Sequence, residues 1–143
     1  MYLIPREIKQ NPVSRWALDD KVFFAAGACH ILCYAFITEH PDYAPFWIKP
    51  KNGNSGNHII AVKDDIAFDY QGLSKKWQLL QNHKEDAIQQ IDKDWDYGLV
   101  ELPIDVLISE SKSRTYEGLW LREPKQFLHN ALPRAQKYMR SIL

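Results

Sequence analysis

The sequence predicts an α+β fold: a single domain over residues 1–143 with a Cys29-bearing helix packed on a small antiparallel sheet and further helices in the C-terminal half. Three observations predict it. A chain of 143 residues suits one hydrophobic core. Ile31, Leu32, Ala35 and Phe36 recur at helical spacing. Residues 58–62 and 66–70 are two β-rich runs around the charged turn Lys63-Asp64-Asp65, the mark of a hairpin.

The elements follow in order. Residues 1–13 read as an irregular lead-in punctuated by Pro5 and Pro12. Ser14 is a candidate cap for a short helix through Trp16 and Leu18. The apolar stretch Val22–Ala26 ends at Gly27, and Ala28–Thr38 forms a buried helix that Pro41 stops. Phe46–Ile48 is a short strand. Lys51–Asn57 is a polar loop of residues that tolerate positive φ, with a composition that suits a gate over whatever lies beside His58. Gly72 is expected to end the hairpin, and Ser74 to cap a helix through Trp77, Leu79 and Leu80. Lys84–Trp95 reads as a separate, more polar helix and Leu99–Leu102 as a strand. Ile104–Leu107 is ambiguous, and Leu119–Leu121 is a short apolar run. Pro124 opens a closing helix through Phe127, Leu132 and Tyr138, kinked or broken at Pro133.

Charge excludes one class of function. Lys plus Arg number 18 and Asp plus Glu number 18, so bulk electrostatics gives no drive towards nucleic acid. Arg134, Lys137 and Arg140 are the best local basic patch, and a solvated helix face is the simpler account of them. No apolar run reaches transmembrane length, so no membrane partner is expected. Met1–Glu7 lacks the pattern of a secretory leader, so a cytoplasmic setting is expected, with leaderless export as an effector compatible. Cys29 and Cys33 lie one helical turn apart, where a disulfide would be strained, and both read as reduced thiols.

Three residues point at chemistry. Cys29 follows Gly27-Ala28 at a helix start, where unpaired amides and the helix dipole favour a thiolate and can hold an oxyanion. Gly27 admits close approach to the backbone. His58 and Asp69 lie on the hairpin. A two-residue turn at Asp64-Asp65 pairs Lys63 with Ile66 and Ile60 with Asp69, which puts His58, Ile60 and Asp69 on one face. His58 and Asp69 are then diagonal neighbours, roughly 5–7 Å apart at Cβ. A four-residue loop keeps that parity and a three-residue loop breaks it.

These residues carry a resemblance. Gly-x-Cys at a helix start, His at a strand start and Asp on the next strand resemble the core of papain-like and transglutaminase-like cysteine enzymes. More narrowly, Gly27-x-Cys29-His30-x-Leu32-x-x-Ala35, His58-x-x-x-Val62 and Asp69-x-x-Gly72 are similar to small uncharacterised bacterial and phage proteins with a Cys-His-Asp pattern. The resemblance covers about residues 22–72. It implies Cys29 as nucleophile, His58 as general base and acid, and Asp69 as orienter, with Gly27 and Ala28 at the oxyanion. It also implies cysteine-dependent acyl chemistry on a peptide or protein amide or ester: peptidase, amidase, deamidase or acyltransferase. No cofactor and no metal are expected. Two departures stand out. Papain-like enzymes place a Gln shortly before the Cys; Asp19–Phe23 holds none, and Gln10 is the nearest, weak substitute. The transglutaminase-like aromatic after the His is replaced by Ile59 and Ile60.

Other readings compete. A buried free Cys is commonly core, the expected role of Cys33. His30 is expected on a different helix face from Cys29, as a structural or rim histidine able to perturb the thiol. Cys29, His30, Cys33 and His58 are a conceivable zinc set, but Cys-His-x-x-Cys on one helix does not aim all three at one point. Asp92, Asp94 and Asp96 fail the calcium-loop pattern, since its sixth and twelfth positions fall on Tyr97 and Pro103. His40, His83 and His129 read as surface residues. The rival to an enzyme is a non-catalytic binding module, such as an immunity or adaptor protein, using the chain's five Trp and seven Tyr at an interface.

Overall fold

A computed structural model describes residues 1–143. The turn at Asp64-Asp65 organises its centre. Asp64 takes φ +52°, the left-handed conformation that a two-residue hairpin turn demands and Asp tolerates. The strands it joins, β2 (His58–Lys63) and β3 (Ile66–Asp69), pair Lys63 with Ile66, Val62 with Ala67 and Ala61 with Phe68. That is the two-residue register read from the sequence.

The rest of the sheet grows outward from this hairpin. β1 (Ala44–Pro50) pairs antiparallel with β2 and carries β5 (Tyr97–Glu101) on its other edge. Gly72 does not end the structure. With φ +94° it closes a second tight turn, and β4 (Gly72–Lys75) runs back along β3. The five-stranded sheet has the order β4-β3-β2-β1-β5, all antiparallel, so the fold is α+β.

Every residue of β2 except Lys63 is buried, because both faces of the sheet are covered. On one face Ile59, Ala61, Trp47 and Phe68 pack against α4 (Cys29–Glu39), which is supported from behind by α7 (Ala131–Ile142). Phe36 of α4 stacks on Phe68 with ring centroids 4.0 Å apart. Truncating either ring to Ala costs about 3–5 kcal/mol by the usual large-to-small ledger. On the other face Ile48, Ile60, Val62 and Ala67 meet Leu79 and Ala87 of α5 (Lys76–Gln90). The two helices expected over residues 74–95 are therefore one, beginning after β4 rather than at a Ser74 cap.

The N-terminal segment is helical rather than irregular, in α1 (Arg6–Lys9), α2 (Pro12–Trp16) and α3 (Asp20–Ala25). Asn11, not Ser14, caps α2: its side chain accepts from the Val13 and Ser14 amides, with Pro12 in the first turn. Arg134 of α7 binds this segment, donating to the carbonyls of Trp16 at 2.7 Å and Leu18 at 2.6 Å and pairing with Asp20. Arg140 pairs with Glu39. Two of the three C-terminal basic residues thus serve the fold and do not form a free cationic patch.

Pro133 lies in the first turn of α7, where its missing amide costs nothing, and Asn130 caps that helix. Ile104–Ile108 and Pro124–Gln126 are 3-10 turns, and α6 is the short helix Glu110–Ser113. Leu119 and Leu121 are buried in the core, while Trp120 between them is 64 % exposed. No helix is long and apolar enough to cross a membrane.

Candidate active site

Gly27 sets the geometry of the first half of the site. Its φ of +114° breaks the chain out of α3 so that α4 starts afresh with Ala28 as N-cap and Cys29 as first residue. The amides of Cys29 and His30 have no acceptor in the protein, as the first turn of a helix requires. They remain available to a developing negative charge beside the Cys29 sulfur.

His58 opens β2 and so sits at the end of the sheet, where the start of α4 can reach it. By parity it shares the α5-facing side with Ile60. Its Nε2 donates to Asp69 Oδ2 at 3.0 Å, with both residues buried. Because a carboxylate only accepts, Nε2 carries the proton and Nδ1 is left for the thiol. Asp69 is held in turn by the Gln71 amide, which donates to Oδ1 at 2.9 Å. The diagonal pairing expected from the hairpin is therefore present as a hydrogen bond.

The electrostatics follow from burial and from these partners. Burial alone would push the Cys29 thiol up. The neighbouring His30 and His58 rings, and the charge of the His58 ring, overcome it and bring Cys29 down to about 5. Burial alone would push His58 down, yet its bond to Asp69 and the neighbouring Cys29 raise it to about 10. Between those values the pair stands as thiolate and imidazolium. Burial and the neighbouring Cys29 push the Cys33 thiol well up, which leaves it an inert core residue, as expected.

One histidine serves as expected and one does not. His30 is a buried structural histidine that also lowers the thiol. Its Nε2 lies 2.6 Å from the Arg122 carbonyl, so this nitrogen carries the proton. His83 of α5 is no surface residue. Its ring stacks on His58, centroids 5.3 Å apart and planes 6° apart, and its Nε2 donates to the Gly56 carbonyl at 2.8 Å. Burial and the His58 charge lower it to about 4, so it stays neutral.

Three side chains anchor the segment before His58: Trp95 Nε1 donates to Ser55 O at 2.9 Å, His83 holds Gly56, and Trp47 Nε1 donates to Asn57 Oδ1 at 2.8 Å. The half of the loop next to the site is therefore tied down by side-chain hydrogen bonds.

Gly27 and His58 line a cleft of about 380 Å³ together with Lys9, Arg15, Tyr2 and Trp120. Gln10 is not among the residues lining it. It is exposed at the end of α1 and lines the neighbouring cleft. Arg15 occupies the ground by Gly27 instead: a Cβ added at Gly27 would stand 1.9 Å from its Nη2. No group of three or more His, Cys, Asp and Glu side chains converges to hold a metal ion. The sequence offered no local signal for His83 or Arg15, both of which come into place through tertiary contacts. Comparison with protein-family models, curated proteins and solved structures gives no match, so a functional reading rests on the geometry of these residues.

Proposed function

We propose that the protein carries out cysteine-dependent acyl chemistry through Cys29, His58 and Asp69, in the manner of papain-like and transglutaminase-like enzymes. The observation that carries this reading is the buried 3.0 Å bond from His58 to Asp69, made by a ring whose other nitrogen is free for a thiol at a helix start. The Cys29 thiolate attacks the carbonyl carbon of an amide or ester, forming the S–C bond, while the carbonyl oxygen takes the negative charge near the Cys29 and His30 amides. Collapse expels the amine or alcohol, which leaves with the His58 proton. Neutral His58 then takes a proton from water or an acceptor amine, whose attack releases the acyl group and restores the ion pair. The substrate is a peptide or protein amide or ester, and the cytoplasm keeps both thiols reduced for it.

The test is acylation by p-nitrophenyl acetate. The expected result is a burst of nitrophenolate stoichiometric with protein, an acetyl group mapped to the peptide holding Cys29, and neither in Cys29→Ala. Acetylation spread over lysines with no burst would overturn the reading.

A further inference from the structure

The cleft beside the site is lined by cations and by no carboxylate. Its lining residues include Lys9 and Arg15 and no Asp or Glu, although the chain as a whole is balanced at 18 charges of each sign. Arg122 faces the adjoining cleft, which shares Lys9 and Trp120 with the first. None of Lys9, Arg15 and Arg122 pairs with a carboxylate. Glu110, the acid in the adjoining cleft, is engaged by Arg114 at 3.0 Å and Gln126 at 2.6 Å.

The two arginines are also fixed in place. Their guanidinium carbons lie 5.5 and 5.6 Å from the centroid of the Phe127 ring. The Arg122 carbonyl is bound by His30, one residue after the thiol, and Arg15 lies against Gly27, two residues before it. The only other bond of the Arg15 head is a long one, 3.5 Å from Nη1 to the Lys9 carbonyl, which leaves Nε and Nη2 free to donate. Burial and the charge of Arg122 lower Arg15, while Cys29 raises it, so two like charges stand together with only the thiolate to offset them.

Resting on the acyl chemistry proposed above, we propose that Arg15, Arg122 and Lys9 form an anion subsite and that the enzyme takes acyl substrates bearing a carboxylate next to the scissile carbonyl. Arg15 receives the carboxylate through its planar fork, and Arg122 and Lys9 add longer-range attraction. Unpaired cations held half-buried cost the fold stability; a ligand carboxylate relieves that cost, which gives the substrate an advantage over a neutral analogue.

The test compares iodoacetate with iodoacetamide on the whole protein, with adduct at Cys29 quantified by mass spectrometry. The two reagents deliver similar groups and differ in charge. The His58 imidazolium favours iodoacetate by itself, so the readout is the change in the rate ratio on substitution. Arg15→Gln and Arg122→Gln are each expected to lower the iodoacetate-to-iodoacetamide ratio roughly three- to tenfold, and Arg15→Lys to restore part of it. Added salt lowers the parent ratio towards that of the double variant. A ratio unmoved by both substitutions and by salt overturns the anion subsite and leaves the acyl chemistry standing. A parent protein that iodoacetamide alkylates at pH 6 no faster than a denatured control overturns the underlying reading instead.

Discussion

Replacing His58 by Gln removes the imidazolium and keeps a side chain able to donate to Asp69, so it isolates the ion pair. In the parent Cys29 lies at about 5, and loss of His58 returns it towards the ordinary thiol value of 9.0, with burial and the neighbouring His30 opposing each other. At pH 6 a thiol near 5 is about nine-tenths ionised and one near 9 about a thousandth. The low-pKa thiolate is the weaker nucleophile, by about sixtyfold for a Brønsted slope of about 0.45. The net expectation is that His58→Gln alkylates with iodoacetamide about fifteen times more slowly than the parent at pH 6. The order reverses on the alkaline side, with the crossing at about pH 7, because the variant's thiolate is the stronger nucleophile once formed. Stopped-time alkylation with peptide mapping reads both limbs, and Cys33 is the internal control. Equal rates at pH 6 with no crossing would refute the argument that His58 ionises Cys29.

Three further outcomes follow from the same contacts. Asp69→Asn keeps an acceptor for His58 but loses the charge, so the alkaline limit of nitrophenyl-ester acylation, set by His58 at about 10, is expected to fall by about one to three units; circular dichroism should show the fold intact. Linkage gives the stability profile its signs. Cys29, depressed from 9.0, contributes stability that is lost as pH falls towards about 5, and His83, depressed from 6.5, loses its contribution towards about 4. His58, raised from 6.5, loses its contribution as pH rises towards about 10. Urea unfolding is therefore expected to show stability rising to about pH 6.5, level to about 9 and falling above, with Cys29→Ala losing about 2 kcal/mol of the rise between pH 5 and 6.5 and His83→Ala flattening it further. Gly27→Ala strains a φ of +114° and drives a methyl into Arg15, so it is expected to cost about 1–3 kcal/mol in thermal unfolding and to slow Cys29 alkylation.

The hairpin was legible because its evidence is local. Two β-rich runs and the two-residue charged turn between them fix the register of β2 on β3, and with it the meeting of His58 and Asp69. The start of α4 was legible from Gly27 and the apolar spacing after it. What escaped depends on contacts far along the chain. β4 was missed because Gly72 reads equally as an end and as the pivot of another turn, and Leu73, its one large apolar residue, is exposed. α5 read as two helices because the polar run Gln81-Asn82-His83 interrupts its apolar pattern, yet His83 is half-buried and joins the sheet-facing side through its stack on His58. Arg15 looked like any helix-surface arginine until the fold set it against Gly27.

The most direct measurement of the central claim is the ultraviolet thiolate absorbance of the parent against Cys29→Ala, titrated with acid and base. The account requires a difference band present across neutral pH that disappears with a midpoint near 5. A band that emerges only as pH passes about 8.5, as for an ordinary thiol, would contradict it.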